Sequence, residues 1–199
     1  MILFKQSVAA AMLVLALMLP ISPLSAASQS YTIDPTHTQV RMTWSHMGLS
    51  NPGATFEGVQ GRILFDQEAP AKSSVAVTIP LSSLDSGVDD LDKELLGENF
   101  FDASRYPEIT FKSTGIVFDG IGDSFTLQGD LSVHGVTRPV VLTGRLNGSG
   151  VHPLLKQPAI GFSASTRLLR SEFGVDAYIP LVSDLLEVDI TVEAVATGE

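Results

Sequence analysis

The chain has 199 residues, 44% of them apolar, with no cysteine and a formal charge of −10. Apolar content at this level is globular. The lack of cysteine excludes disulfides, thiol nucleophiles, cysteine-ligated metals and a lipid on an N-terminal cysteine. The acidic balance argues against nucleic acid and anionic membrane surfaces as partners, since both select clustered Lys and Arg.

The first 27 residues read as a secretory signal. Lys5 and the amino terminus precede the apolar run Val8–Leu19, then come Pro20, Pro23 and the small residues Ser25-Ala26-Ala27. This is the order of n-region, h-region and cleavage site, and the run falls short of the roughly 20 residues needed to span a bilayer. Cleavage is expected after Ala27, with Ala26 the second choice. That leaves 28–199 as one exported domain of charge −11, because Lys5 departs with the leader.

Beyond the leader, two-residue alternation dominates. Apolar residues recur at Val40, Met42 and Trp44, then at Val59, Ile63 and Phe65, and at Val75, Val77 and Ile79. Leu84, Val88, Leu91 and Leu95 instead recur at steps of three and four, predicting a helix with Ser86 as N-cap and Gly97 as its stop. An irregular aromatic connector, Phe100-Phe101-Asp102 to Arg105-Tyr106-Pro107, follows. Alternation resumes at Ile109 and Phe111, at Phe125 through Val133, at Val140 through Leu146, at Ile160 through Leu168, and at Leu186 through Val192. Eight such windows predict an antiparallel all-β sandwich or barrel. Turns are expected at Asn51-Pro52-Gly53, Asp119–Asp123 and Asn147–Gly150, with Gly58, Gly61, Gly129 and Gly144 marking bulges or bends that favour closure.

Catalytic signatures are missing. The three Gly-x-Ser triplets, at Gly48, Gly122 and Gly161, lack the second glycine of a nucleophile elbow, and no phosphate loop or His-Glu-x-x-His occurs. His37 and His46 with Asp34 match no metal spacing, so no metal is expected, and Asp34 and Glu108 read as surface carboxylates rather than an acid–base pair. No catalytic residue or cofactor is therefore assigned. Inward apolar residues read equally as a filled core or as the lining of a ligand cavity, because an eight-stranded barrel allows both.

Five ordered motifs carry a resemblance. They are Asp34-Pro35-Thr36-His37-Thr38-Gln39-Val40 leading to Trp44–Ser50, Phe56 with Gly61–Asp66, Phe100-Phe101-Asp102 with Tyr106–Ser113, Gly129–Val140, and Arg170-Ser171-Glu172-Phe173-Gly174. Together they resemble the YceI-like family of bacterial periplasmic proteins over roughly Tyr31 to Ala196. The resemblance implies a lipocalin-like antiparallel β-barrel of about eight strands with a short helical insertion. It also implies a periplasmic location and a long-chain isoprenoid lipid, a polyprenyl phosphate or isoprenoid quinone, held without catalysis.

On that basis the expected apolar lining is Val40, Met42, Trp44, Phe56, Ile63, Phe65, Phe111, Leu131, Leu142 and Phe162, with Phe100 and Phe101 closing one end. His46 and Arg170 are the candidate head-group contacts. The competing readings are binding of fatty acids or their amides, a lipid-acting hydrolase using the histidines, and a small outer-membrane barrel. One Trp and three Tyr are too few for the girdles of the last. A closed barrel has no free strand edge to name a dimer interface, so a homodimer is left open.

Overall fold

The computed structural model describes residues 28–118 and 123–197, so the proposed leader and most of the Asp119–Asp123 turn lie outside the described residues. Eleven strands form one antiparallel sheet: β1 Gln29–Ile33, β2 Gln39–His46, β3 Gly53–Phe56, β4 Gln60–Phe65, β5 Ser74–Pro80, β6 Leu84–Asp85, β7 Glu108–Phe118, β8 Ser124–Val133, β9 Val136–Val151, β10 Pro158–Leu169 and β11 Val182–Ala196. They make eight staves. β1 and β2 both pair with β11, Tyr31 opposite Ala196 and Val40 opposite Ile190, so they form one stave broken at 34–38. β3 and β4 form a second, broken at 57–59, and β5 and β6 a third, broken by the 3₁₀ turn Leu81–Ser83. Pairing of β1 with both β4 and β11 closes the ring.

The eight windows of alternation correspond one to one with these staves. Side chains alternate inward and outward along each, as the pleat requires. Arg41, Arg62, Lys112, Asp130, Arg145, Arg167, Glu187 and Asp189 fall on the outer parity. The wall is therefore polar outside and apolar inside.

Several local expectations need correction. Asn147–Gly150 is not a turn: β9 continues to Val151, with Gly150 opposite Ala159, and the reversal comes at 152–157. A bulge absorbs the irregularity at Gly161/Phe162, where Asn147 Nδ2 donates to Ser163 Oγ at 2.8 Å. The helix α1 spans only Asp89–Leu96, because Leu84 belongs to β6 and Val88 is exposed. Ser86 is not its cap. Instead the Asp92 carboxylate reaches back and accepts from the Ser86 backbone N–H at 2.8 Å and its hydroxyl at 2.5 Å. Gly97 does end the helix, with extended backbone.

Gly61 and Gly144 make no bulges and hold regular register, whereas Gly129 stands opposite Ser113 where the β7 register shifts between Ser113 and Gly115. All three receive neighbouring groups in the space a side chain would fill. The Phe111 ring lies over Gly129 and the Phe125 ring over Gly144. Gly58, between β3 and β4, has φ +62° and so takes a left-handed conformation at that break.

These seats set the packing of the end where β4, β7 and β9 finish. Phe162 meets Phe65 edge to face at 6.0 Å and Phe125 at 5.8 Å, and Phe118 lies 5.4 Å from Phe125. Ile160 beside them is almost wholly buried. This end is filled.

Adding a methyl group at Gly129 drives it into the Phe111 ring, so Gly129→Ala should cost about 1–3 kcal/mol in urea unfolding. Gly148→Ala, which meets nothing within 4 Å, should leave the midpoint almost unchanged.

Candidate ligand cavity

At the opposite end the barrel is hollow. A cavity of about 350 Å³ runs from the aromatic floor to the rim formed by α1, the connector at 97–107 and the β10–β11 loop. Its walls are built by alternation. β2 contributes Val40, Met42 and Trp44, and β11 contributes Leu186, Val188, Ile190 and Val192. Phe56, Phe111, Leu131 and Leu142 line it, as do Phe100 and Phe101, which sit at the capped end with Phe101 edge to face on Phe56 at 5.9 Å. Exposed Glu94 and Tyr178 and half-buried His46 also border the space, marking where it meets solvent.

Three expected lining residues lie elsewhere. Phe65 and Phe162 belong to the aromatic floor, and Ile63 is buried in the same core without touching the cavity. Their inward parity was legible, but their depth along the stave was not. The β11 wall, Leu91 and Leu95 of α1, and Phe173 and Val175 of the loop were not foreseen as lining. For β11 the alternation itself was the available signal. For the loop there was none, because irregular segments carry no period.

Arg170 also borders the cavity, but most of its donors are committed to the main chain. Its guanidinium is buried and pairs with neither Glu172 nor any other described carboxylate. Nε donates to the Ser183 carbonyl at 2.9 Å, Nη1 to Val175 at 2.9 Å, and Nη2 to Ala177 at 2.7 Å and Val182 at 2.9 Å. Four of its five N–H groups thus tie down the loop between β10 and β11. Its carbon Cζ also stands 5.8 Å from the Phe100 ring centre. Burial lowers its proton affinity, and the charges of Asp184 and Asp176 oppose that effect. Glu172, meanwhile, accepts at its backbone carbonyl from Arg138.

The four histidines go to separate places. His37 Nδ1 donates to Asp34 at 2.8 Å in an exposed turn, and Thr36 supports the same carboxylate from its hydroxyl at 2.7 Å. These hydrogen bonds, His37 first, hold Asp34 down to about 2, and the Asp34 bond raises the His37 pKa above 6.5. His134 faces the Phe173 carbonyl at 3.3 Å and the Tyr106 ring, and His152 lies 3.4 Å from Glu193. His46 alone borders the cavity, and its imidazole has no hydrogen-bond partner among the described residues. No cluster of three metal-ligating side chains occurs among the described residues.

A closed antiparallel barrel around an apolar cavity defines a lipocalin-like architecture. Residues 31–194 match the model of the YceI-like domain, and the chain belongs to the YceI-like family. A UPF0312 protein of Vibrio cholerae is 34% identical over 87% of this chain and 90% of its own. BcnA of Burkholderia cenocepacia shares the fold at a TM-score of 0.73 and 22% identity, over 81% of this chain and 98% of that one. A polyisoprenoid-binding domain from Saccharophagus degradans, implicated in plant cell wall breakdown, does so at 0.61 and 16% identity, over 85% and 99%.

Arg170→Met removes donors from four buried carbonyls and should destabilise the fold by about 3–5 kcal/mol in urea unfolding, with Arg170→Lys recovering less than half. The His37 pair gives a pH test. Its contribution is complete between the ordinary Asp value of 3.8 and about pH 6.5, fades as pH rises through the raised His37 value, and is lost as pH falls towards the Asp34 value of about 2. NMR titration should find His37 above 6.5 in the wild type and near 6.5 in Asp34→Asn.

Proposed function

We propose that this protein holds a long-chain isoprenoid lipid, a polyprenyl phosphate or isoprenoid quinone, in the barrel cavity, and carries or stores it in the periplasm after cleavage of the leader. The observation that carries this reading is the cavity wall: nearly every inward side chain from the floor to the rim is aliphatic or aromatic. Each methylene withdrawn from water contributes about 0.8 kcal/mol, so a long chain binds with little polar help. The structural likeness to a polyisoprenoid-binding domain from Saccharophagus degradans supports the same ligand class. Of the polar side chains bordering the cavity, Thr38, Thr166 and Arg170 donate to main-chain carbonyls, while His46, Glu94 and Tyr178 lie at the rim, which orients the tail to the floor and the head to the mouth.

A binding role is favoured over hydrolysis because the histidines have separate partners and only His46 reaches the cavity. With Arg170 occupied by the loop, His46 is the free hydrogen-bonding group for a head. The polar outer wall is opposite to that of a membrane-spanning barrel, and among the described residues no helix is long and apolar enough to cross a bilayer.

Native mass spectrometry of protein purified without detergent should show a bound lipid with a prenyl chain. Leu142→Trp, which fills the cavity, should abolish its retention. Protein that is empty in every preparation, or that retains only acyl chains, overturns the reading.

A further inference from the structure

The cavity opens inside a collar of exposed apolar side chains. Leu49 is 86% exposed, and Met47, Tyr178 and Leu181 are each more than half exposed. They come from two loops at the mouth, the β2–β3 turn and the β10–β11 loop. The Met47 N–H donates to the Leu181 carbonyl at 2.6 Å, joining them into one surface. The Arg170 clamp fixes the second loop from behind, and Tyr178 reaches Glu94 of α1 across the opening. Side chains of this size held out to water on fixed loops mark an interaction surface.

We propose that this collar seats the barrel mouth on the surface of an uncharged lipid bilayer, so that a chain passes between membrane and cavity without crossing water. This rests on the reading of the cavity as a lipid site, and two features select the occupant. Tyr178 borders both the cavity and the collar, so whatever covers the collar also faces the opening. The charges that meet it are acidic: Glu94 of α1 accepts from Tyr178, and Asp176 lies two residues before Tyr178 on the same loop, while Lys93 of α1 is paired with Asp90. This disfavours an anionic surface and fits a zwitterionic one. Leucine, methionine and tyrosine are the residue types that enter an interface without a basic patch.

The test uses flotation with phosphatidylcholine vesicles and transfer of a fluorescent prenyl lipid from donor to acceptor vesicles. The wild type should float with neutral vesicles, float less as phosphatidylglycerol is added, and transfer faster as acceptor vesicles increase. Leu49→Asp with Leu181→Asp, both outside the cavity wall, should lower flotation and transfer at least about tenfold while binding the same lipid in solution unchanged. Wild-type protein that does not float, or a double variant that floats equally, overturns the proposal. So does light scattering that shows a wild-type dimer lost in the variant, because the collar then covers a second copy. Failure of the cavity reading shows separately, as no lipid binding in solution by protein that still floats.

Discussion

Closure of the ring between the first and last strands is the constraint on which the rest of the structure depends. Once Tyr31 stands opposite Ala196 and the same strand pairs with β4, every inward side chain faces an enclosed space. Whether that space is filled or hollow then depends on residue volumes at each level. At one end Phe65, Phe118, Phe125 and Phe162 pack together, Phe162 edge to face on Phe65 and Phe125, Phe118 tilted on Phe125 and the Phe125 ring over Gly144, and exclude a chain. At the other end the same alternation presents mostly Val, Leu, Ile and Met, with Trp44, Phe56 and Phe111 among them, around a space that stays open. A single pattern thus yields a floor and a cavity.

The breaks in three staves act at the hollow end. Pairing of β2 with β3, and of β3 with β6, carries the wall beyond the closed ring, where α1 and the aromatic connector then cover it. The remaining gap is spanned by the β10–β11 loop, which has no sheet partner of its own. Arg170 substitutes for a ladder there: one planar guanidinium meets four carbonyls that would otherwise be buried without donors. The charge itself is balanced at longer range by Asp176 and Asp184. The motif that contains Arg170 is explained by the loop it holds before any ligand is invoked.

Much of the fold was legible because the pleat writes its period into sequence. Val40, Met42 and Trp44 had to share a face, and Leu186 through Val192 likewise. Position along the barrel axis was not legible, since Phe111 and Phe162 have the same parity and chemistry yet one lines the cavity and the other plugs the floor. The role of glycine was only partly legible for a related reason, since Gly58 and Gly129 do mark irregular backbone while Gly61 and Gly144 do not. A missing Cβ is compatible with a bend or with a ring from the next strand, and only the three-dimensional register shows that Gly129 takes Phe111. The Arg170 partners are main-chain carbonyls, which have no sequence signature at all.

The division into floor and mouth also sorts the electrostatics. Outer-face carboxylates give the molecule its net charge of −10, but their field acts through water and is screened within about 8–10 Å. Inside the cavity the wall is apolar, so charge there is determined by the few groups at the rim. Glu94 is engaged by Tyr178 and Arg170 by the loop, which leaves His46 as the uncommitted polar side chain. Its imidazole carries two ring nitrogens that can hydrogen-bond a head group at the mouth. An anionic head instead meets the acidic rim and only a partly spent guanidinium. Discrimination between ligands that share one tail chemistry is therefore made at the rim, through the head alone, because the apolar wall treats such tails alike.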